Sequence, residues 1–137
     1  MQTNKVKKSL FLFDFIHSLD RESLALEISK HLNKSSKTKS FMIQVNTGEE
    51  NNKSGIMPRD FRDFFLITQS LKIPVNGLMC IPPINEDPST HFGLLRELAN
   101  EFKLENLSMG MSSDFQDAIK YGATHVRIGT SFFGKRL

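Results

Sequence analysis

The sequence predicts an α/β fold with a parallel sheet, and three features lead to this class. Short strand-like runs recur at 10–17, 41–46, 75–81, 107–110 and 125–129, and the first of them is rich in Phe and Ile. Helical patterns lie between these runs, and no β-hairpin turn signal joins any two of them. Strands that alternate with helices favour a parallel sheet. The pattern leaves open whether the strands form an open doubly wound sheet or part of an eight-stranded barrel.

The first half of the chain is predicted to contain strands at 10–17 and 41–46, each followed by a helix. We predict that Asp20 caps the first helix, because its side chain can accept an orphan amide hydrogen bond. Leu24, Ile28 and Leu32 recur at a spacing of four and give that helix one apolar face. A polar loop follows at 33–39. Pro58 suits the first turn of the second helix, whose apolar side carries Phe61, Phe64, Phe65, Thr68 and Leu71.

The second half is predicted to contain three further strands and two helices. Pro82 and Pro83 end the strand at 75–81, since proline donates no ladder hydrogen bond. The pattern Ser113-x-x-Gln116 is a capping box, which predicts a helix that begins immediately after it. Gly122 suits the C′ position beyond that helix. The helix before it carries an apolar stripe of Phe92, Leu95, Leu98 and Phe102.

The composition indicates one globular domain and excludes several partner classes. The chain has 137 residues, a hydrophobic fraction of 39% and a net charge of +3. Its lysines cluster only in two small groups, which we interpret as solvated surface, so no nucleic-acid partner is predicted. The apolar stretch 10–16 is too short to span a bilayer and contains Asp14, so no membrane partner is predicted. We expect a cytoplasmic protein.

The cysteine and histidine pattern points to no metal site and no thiol chemistry. Cys80 is the single cysteine and lies in an apolar run, which predicts an inert buried side chain. One cysteine also forms no internal disulfide, which fits a reducing compartment. The four histidines, at 17, 31, 91 and 125, lack the spacing of metal ligands, and we interpret them as structural or surface residues.

Two predicted strand ends carry residues suited to an anion. Gly110 permits a tight turn, and Ser112 places a hydroxyl near a helix N-terminus, where amide donors favour phosphate. At the next strand end, Gly129 lets its own amide and that of Thr130 approach a ligand closely. Structural roles explain the same residues: serine often only caps a helix, and Arg127 can pair with any carboxylate. Local chemistry leaves both interpretations open.

The same region resembles a known family. The string Leu107-Ser-Met-Gly-Met-Ser-Ser-Asp114, followed by Tyr121-Gly-Ala-Thr-His-Val-Arg-Ile-Gly-Thr-Ser-Phe-Phe-Gly134, is similar to the terminal signature of the pyridoxal phosphate homeostasis protein family. That family comprises single-barrel relatives of the alanine racemase amino-terminal domain. Further matches lie at 2–5, 43–46, 53–55 and 77–79. The resemblance therefore spans essentially the whole chain.

The resemblance implies a (β/α)8 TIM-type barrel that binds pyridoxal 5′-phosphate. By the family's layout, residues 1–137 form a single incomplete barrel domain that holds strands four to eight. Ser112, Gly129 and Thr130 would hold the phosphate. Arg127 would lie near the pyridine nitrogen and disfavour its protonation, because a second positive charge nearby is repelled. Weaker candidates at the same strand end are Ser108 and Met111.

One departure from the family shapes the functional hypotheses. The family's Schiff-base lysine lies at the end of its first strand, before the residue at which this sequence starts, and Lys5 and Lys53 match other family lysines. We therefore expect a cofactor-binding fragment with no catalytic residues, and a separate amino-terminal half as its candidate partner. A non-functional remnant, or half of a split protein, is the alternative. A racemase-like enzyme is the lesser alternative, because it needs that lysine and an acid/base pair.

Overall fold

Parallel strands form one sheet in the computed structural model of the chain, which describes residues 1–34 and 36–134. Ser35, in the predicted polar loop, lies outside the described residues. Within the described part, the strands follow one another in sequence order, and each is parallel to its neighbour. This arrangement confirms the predicted α/β class. The strands are β1 (Phe15–Leu19), β2 (Ser40–Val45), β3 (Val75–Cys80), β4 (Asn106–Met111) and β5 (His125–Arg127).

Helices connect and flank these strands. A short 3₁₀ turn at Thr3–Lys5 leads into the first helix, and a second turn at Pro58–Asp60 leads into the third. Pro58 begins that second turn, as its fixed φ favours. The helices are α1 (Val6–Leu12), α2 (Glu22–His31), α3 (Phe61–Ser70), α4 (Pro88–Glu101), α5 (Phe115–Lys120) and α6 (Thr130–Phe133).

The sheet curls into a half-barrel. In a flat sheet, four interstrand spacings of about 4.8 Å would separate the outer strands by roughly 19 Å. Instead, the ring centroid of His17 on β1 lies 5.2 Å from that of His125 on β5. Phe15 also approaches His125, at 6.2 Å between ring centroids. The two outer strands therefore face each other across a concave surface, as in a partial TIM barrel.

Alternation along the strands divides the side chains between the two faces of the sheet. On β2, Phe41, Ile43 and Val45 join the buried core that the helices cover, and on β4 Leu107 and Met109 do so. Side chains at the intervening positions point to the other face, because the side-chain period of a strand is two. These include His17, Ser108 and Arg127, which contact one another across the concave surface.

The predicted apolar faces of the helices are largely confirmed. The core receives Leu24 and Ile28 from α2, Phe61 and Phe64 from α3, and Phe92 and Leu95 from α4. Residues at the ends of the predicted stripes pack only at the margin of the core, as partly buried side chains. These are Leu32, Leu71, Leu98 and Phe102.

The predicted strand at 10–17 is wrong over its first half. Helix α1 extends through Leu12, and β1 begins only at Phe15. Val6 and Leu10, four residues apart, are fully buried on one side of α1, which is the spacing of a helix. The run of Phe and Leu residues that suggested a strand is instead half-exposed at Phe11, Leu12 and Phe13.

Two predicted helix caps are also wrong. Arg21 occupies the N-cap of α2, and the Asp20 carboxylate bonds to its guanidinium at 2.6 Å instead of to a backbone amide. At α5 the N-cap is Asp114, not Ser113, and its carboxylate accepts a hydrogen bond from the Met111 amide at 2.7 Å. In both places the aspartate carboxylate bonds to another donor and not to an amide of the helix terminus.

The predicted end of α5 is confirmed. Gly122 lies at C′ with a φ of 88°, a conformation that glycine adopts without strain. Its amide donates to the Ile119 carbonyl at 3.0 Å, and the Ala123 amide donates to the Ala118 carbonyl at 3.0 Å. This pair of hydrogen bonds is a Schellman motif, which turns the chain directly into β5.

Cys80 lies buried at the end of β3, as predicted, and burial raises the pKa of its thiol to about 12 from an ordinary 9.0. A group whose pKa is raised on folding contributes stability that is complete below its unfolded pKa and lost as the pH rises through its folded pKa. We expect the wild-type free energy of unfolding to fall between pH 9 and 12 more steeply than that of Cys80→Ala. Urea unfolding across this range measures the difference, and equal slopes would contradict the prediction.

The two outer strands leave apolar residues at the edges of the half-barrel. Phe15, at the start of β1, is 52% exposed, and Phe132 and Phe133, which follow β5 in α6, are 79% and 82% exposed. Among the described strands, β1 and β5 each have a neighbour on one side only.

In the described part of the chain, no helix is both long and apolar enough to cross a lipid bilayer.

Candidate functional site

A cavity of about 650 Å³ opens at the carboxyl ends of β4 and β5. In parallel-strand folds, ligands bind beyond these strand ends, and the volume is typical of a small-molecule site. The loop after β4 forms one wall, and the loop after β5 forms the other. The lining residues are Met111, Ser112, Ser113, Arg127, Gly129 and Thr130. The cavity thus brings together five of the six residues that the sequence singled out.

Gly110 shapes the wall that follows β4. Its φ of 93° lies in the left-handed region, and a Cβ there would lie 2.7 Å from the Ala118 Cβ and 2.9 Å from the Phe115 Cα. The backbone therefore passes directly against α5, which a side chain would prevent. The Asp114 carboxylate then fixes the turn through the Met111 amide. Together these contacts place Ser112 at the cavity.

Gly129 shapes the opposite wall. Its φ is −119°, and a Cβ on this residue would meet no atom within 4 Å, so the space around it is open. Its carbonyl accepts hydrogen bonds from the amides of Phe132 and Phe133, at 3.0 and 2.8 Å, which form the turn of α6. Thr130 begins that turn and is exposed at the cavity. This wall therefore offers a hydroxyl and open backbone to a ligand.

Arg127 is the charged residue in the cavity lining. Its Nη1 donates to the Ser108 hydroxyl at 2.7 Å, and its Nη2 donates to the Cys80 carbonyl at 2.8 Å. Burial lowers the pKa of Arg127, while the negative forms of Cys80 and Asp114 oppose that shift. An arginine nevertheless remains a cation in proteins. The two hydrogen bonds therefore hold a positive charge between the end of β3 and the middle of β4.

Ser108 does not belong to the cavity lining, although the sequence suggested that it lines this strand end. Its side chain is fully buried, at 0% exposure, and contacts Arg127 and His17 instead. Alternation on β4 explains the position, because Ser108 lies between the core residues Leu107 and Met109. Met111, by contrast, lines the cavity with a side chain that is 39% exposed.

His17 and His125 lie close together beside Ser108, a proximity that the sequence did not indicate. Their rings meet edge to face, and His17 Nδ1 lies 3.0 Å from the Ser108 hydroxyl. Burial lowers the pKa of His17, with smaller contributions from His125 and Arg127. Both histidines lie on the concave face of the sheet, and strand alternation was the signal for this in the sequence. Their proximity depends on the curl of the sheet. Within the described residues, no group of three or more His, Cys, Asp and Glu side chains is arranged to hold a metal ion.

Comparison with known proteins identifies the family. The family model described as alanine racemase, N-terminal domain, matches residues 3–136. The chain belongs to this family. Within the alanine racemase amino-terminal domain family, it is similar to the pyridoxal phosphate homeostasis proteins of Aquifex aeolicus and Vibrio cholerae, with 45% and 38% identity over 99% of this chain. These matches confirm the resemblance found in the sequence.

The chain spans less than two thirds of the length of these two curated relatives, 64% and 61% respectively. Two solved structures of PipY from Synechococcus elongatus share its fold. PipY without pyridoxal phosphate aligns with a TM-score of 0.87 and 33% identity. PipY with pyridoxal phosphate bound aligns with a TM-score of 0.85 and 31% identity. Each alignment covers 98% of this chain and 67% of PipY.

Proposed function

We propose that the chain binds pyridoxal 5′-phosphate at the ends of β4 and β5 and carries the cofactor without catalysing a reaction on it. The observation that carries this proposal is the cavity of about 650 Å³ between two hydroxyl-bearing loops, with a fixed guanidinium in its wall. We further propose that β1 to β5 correspond to strands four to eight of a (β/α)8 barrel. The pyridoxal phosphate named in one PipY structure supports the choice of ligand.

The lining residues suit the phosphate of this cofactor. A phosphate dianion needs several donors, and the hydroxyls of Ser112 and Thr130 supply two from opposite loops. Open space at Gly129 lets the phosphate approach the backbone without a steric clash. Hydrogen bonds to a charged group contribute about 1.5–3 kcal/mol each, so two hydroxyls alone account for much of a specific phosphate site.

Arg127 suits the pyridine end of the cofactor. When bound, the cofactor supplies an electron-accepting ring, and protonation of its nitrogen strengthens that property. The guanidinium of Arg127 keeps this proton away, because a second positive charge nearby is repelled. The two hydrogen bonds of Arg127 hold its guanidinium in this position. Arg127 therefore favours storage of the cofactor over chemistry on amino acids.

The proposed non-catalytic role rests on the names of the relatives, beside which the residues of the cavity can be set. The six lining residues include no carboxylate, imidazole or amine that could exchange a proton with a substrate carbon. The single tyrosine, Tyr121, lies beyond the end of α5, where its ring packs 6.5 Å from that of Phe92. The relatives are likewise named as homeostasis proteins and not as enzymes.

The edges of the half-barrel favour a polypeptide partner that supplies further βα units, in the same chain or in a separate one. The outer strands β1 and β5 can each accept another parallel strand, and unpaired strand edges readily pair with additional polypeptide. Exposed aromatic residues lie beside both, including Phe15 and Phe132. The curated relatives are longer than this chain, and we propose an amino-terminal half as the polypeptide that pairs with these edges.

Thermal unfolding with and without pyridoxal phosphate tests the proposed function. A ligand that binds only the folded state stabilises it by about 2.7 kcal/mol at one hundred times its dissociation constant. We expect the midpoint to rise with pyridoxal phosphate and to rise much less with pyridoxal, which lacks the phosphate. A cooperative transition that neither ligand moves would contradict the proposal. No cooperative transition at all would favour the alternative of a remnant that needs its missing strands.

A further inference from the structure

Three polar side chains form a connected row across the concave face of the half-barrel. His17 on β1 lies 3.0 Å from the hydroxyl of Ser108 on β4, measured from Nδ1. That hydroxyl accepts a hydrogen bond of 2.7 Å from Nη1 of Arg127 on β5. Of the three residues, only Arg127 lines the cavity. His17 and Ser108 therefore act on a bound ligand only through Arg127.

The donors and acceptors in this row admit one complete arrangement. Arginine only donates, so the oxygen of Ser108 accepts from Arg127. Ser108 still has one O–H hydrogen, and its side chain is fully buried, so leaving that hydrogen without an acceptor would be costly. His17 Nδ1 lies within hydrogen-bond distance of it. This nitrogen can accept only if it carries no proton, which places the proton of a neutral ring on Nε2.

The surroundings of His17 favour the neutral ring that this arrangement needs. Both charged or titratable groups that act on it, His125 and Arg127, lie on β5, while β4 presents Ser108, which does not titrate. Burial and these two groups lower the pKa of His17. Protonation would give Nδ1 a hydrogen, remove the acceptor of Ser108 and add a second cation beside Arg127. The row would then no longer hold the guanidinium in place.

We propose that His17 and Ser108 are positioning residues that hold the Arg127 guanidinium at the cavity, with neutral His17 accepting the Ser108 hydroxyl. This inference rests on the proposed function for its effect on pyridoxal phosphate, but the hydrogen-bond arrangement itself does not depend on the ligand. His17 sets the orientation of Ser108, and Ser108 sets the orientation of Arg127. The affinity of the site for the cofactor then depends on a histidine that does not line the cavity.

Nitrogen NMR of the histidine rings tests the arrangement without the cofactor. We expect the wild-type chain to show His17 protonated on Nε2 alone at neutral pH, with a pKa below the ordinary value. In Arg127→Met the His17 pKa should rise, because a neighbouring cation is removed. In Ser108→Ala the Arg127 side-chain N–H protons should exchange about tenfold faster. A wild-type His17 protonated on Nδ1 would overturn the proposal, whether or not pyridoxal phosphate binds.

Cofactor affinity in matched variants tests the positioning role. We expect Ser108→Ala and His17→Phe to weaken pyridoxal phosphate binding about tenfold, the loss of roughly one charge-assisted hydrogen bond. His17→Asn is the rescue variant, because an amide oxygen can accept the same hydrogen bond but does not titrate. It should restore the affinity and lack the weakening at low pH that His17 causes in the wild type. Unchanged affinity in Ser108→Ala, in a chain that binds the cofactor, would overturn the positioning role.

The two failures are distinguishable. If pyridoxal phosphate binds neither the wild type nor any variant, the proposed function fails, and the NMR result still decides the hydrogen-bond arrangement. If the cofactor binds and the variants match the wild type, the proposed function stands and the positioning role fails. If His17→Phe does not fold, His17→Asn still tests the role of His17, because it keeps a polar side chain at the same place.

Discussion

Replacement of Gly110 by alanine is expected to lower the free energy of unfolding by about 3 kcal/mol. The left-handed backbone at Gly110 costs an alanine about 1–2 kcal/mol. The added Cβ would also lie 2.7 Å from the Ala118 Cβ and 2.9 Å from the Phe115 Cα. Neither atom is the flexible end of a side chain, so α5 must shift away from β4, and overpacking of this kind costs about 1–3 kcal/mol.

Urea unfolding followed by circular dichroism measures this loss as a lower midpoint at an unchanged slope. Gly129→Ala is the matched control at the neighbouring strand end. Its φ is −119°, and its Cβ would meet nothing within 4 Å, so its free energy of unfolding should change by no more than about 0.5 kcal/mol. Equal losses in the two variants would show that the contact between Gly110 and α5 does not constrain the fold.

The double variant Ser112→Ala with Thr130→Val is expected to weaken pyridoxal phosphate binding about one hundredfold. Each hydroxyl lines the cavity from a different loop, and each can donate to the phosphate. A hydrogen bond to a charged group contributes at least about 1.5 kcal/mol, which corresponds to roughly tenfold in affinity. The two effects should add, because the hydroxyls lie on separate loops.

Absorbance titration of the cofactor measures this change in affinity, and two comparisons serve as controls. Pyridoxal lacks the phosphate, so its weaker binding should be the same in the wild type and the double variant. Ser70→Ala is the control for loss of a hydroxyl elsewhere, since its oxygen bonds within α3 to the Ile67 carbonyl at 2.8 Å. A double variant that binds both ligands as well as the wild type would remove Ser112 and Thr130 from the phosphate site.

The sequence predicted those parts of the fold that depend on local chemistry. The two prolines after residue 81 and the glycine at position 122 end their elements because of their own backbone properties, and the structure confirms both. The predictions failed where neighbouring groups compete for the same hydrogen-bonding side chain. Asp20 bonded to Arg21, and Asp114 bonded to Met111, so neither helix began as its capping pattern predicted. At 10–12, a run of large apolar residues fits a helix and a strand equally well.

The candidate site likewise has residues that the sequence predicted and contacts that it did not. The cavity residues Ser112, Gly129 and Thr130 follow strands whose ends were readable, so the sequence placed them together. The link between His17 and Ser108 spans 91 positions and exists only because the sheet curls. Alternation on β4 explains the side of the sheet on which Ser108 lies. It did not give its partners, because the distance across the concave face depends on the whole sheet.

The strand order also bears on when the site appears during synthesis of the chain. Each strand pairs with the one made just before it, so the sheet can grow one βα unit at a time as the polypeptide emerges. The contact between His17 and Ser108 is different, because it joins the first strand to the fourth, and Arg127 joins it from the fifth. The hydrogen bonds of Arg127 form only once β5 is in place. A nascent chain in which only β1 to β4 have formed therefore has most of the described sheet but lacks the guanidinium at the cavity.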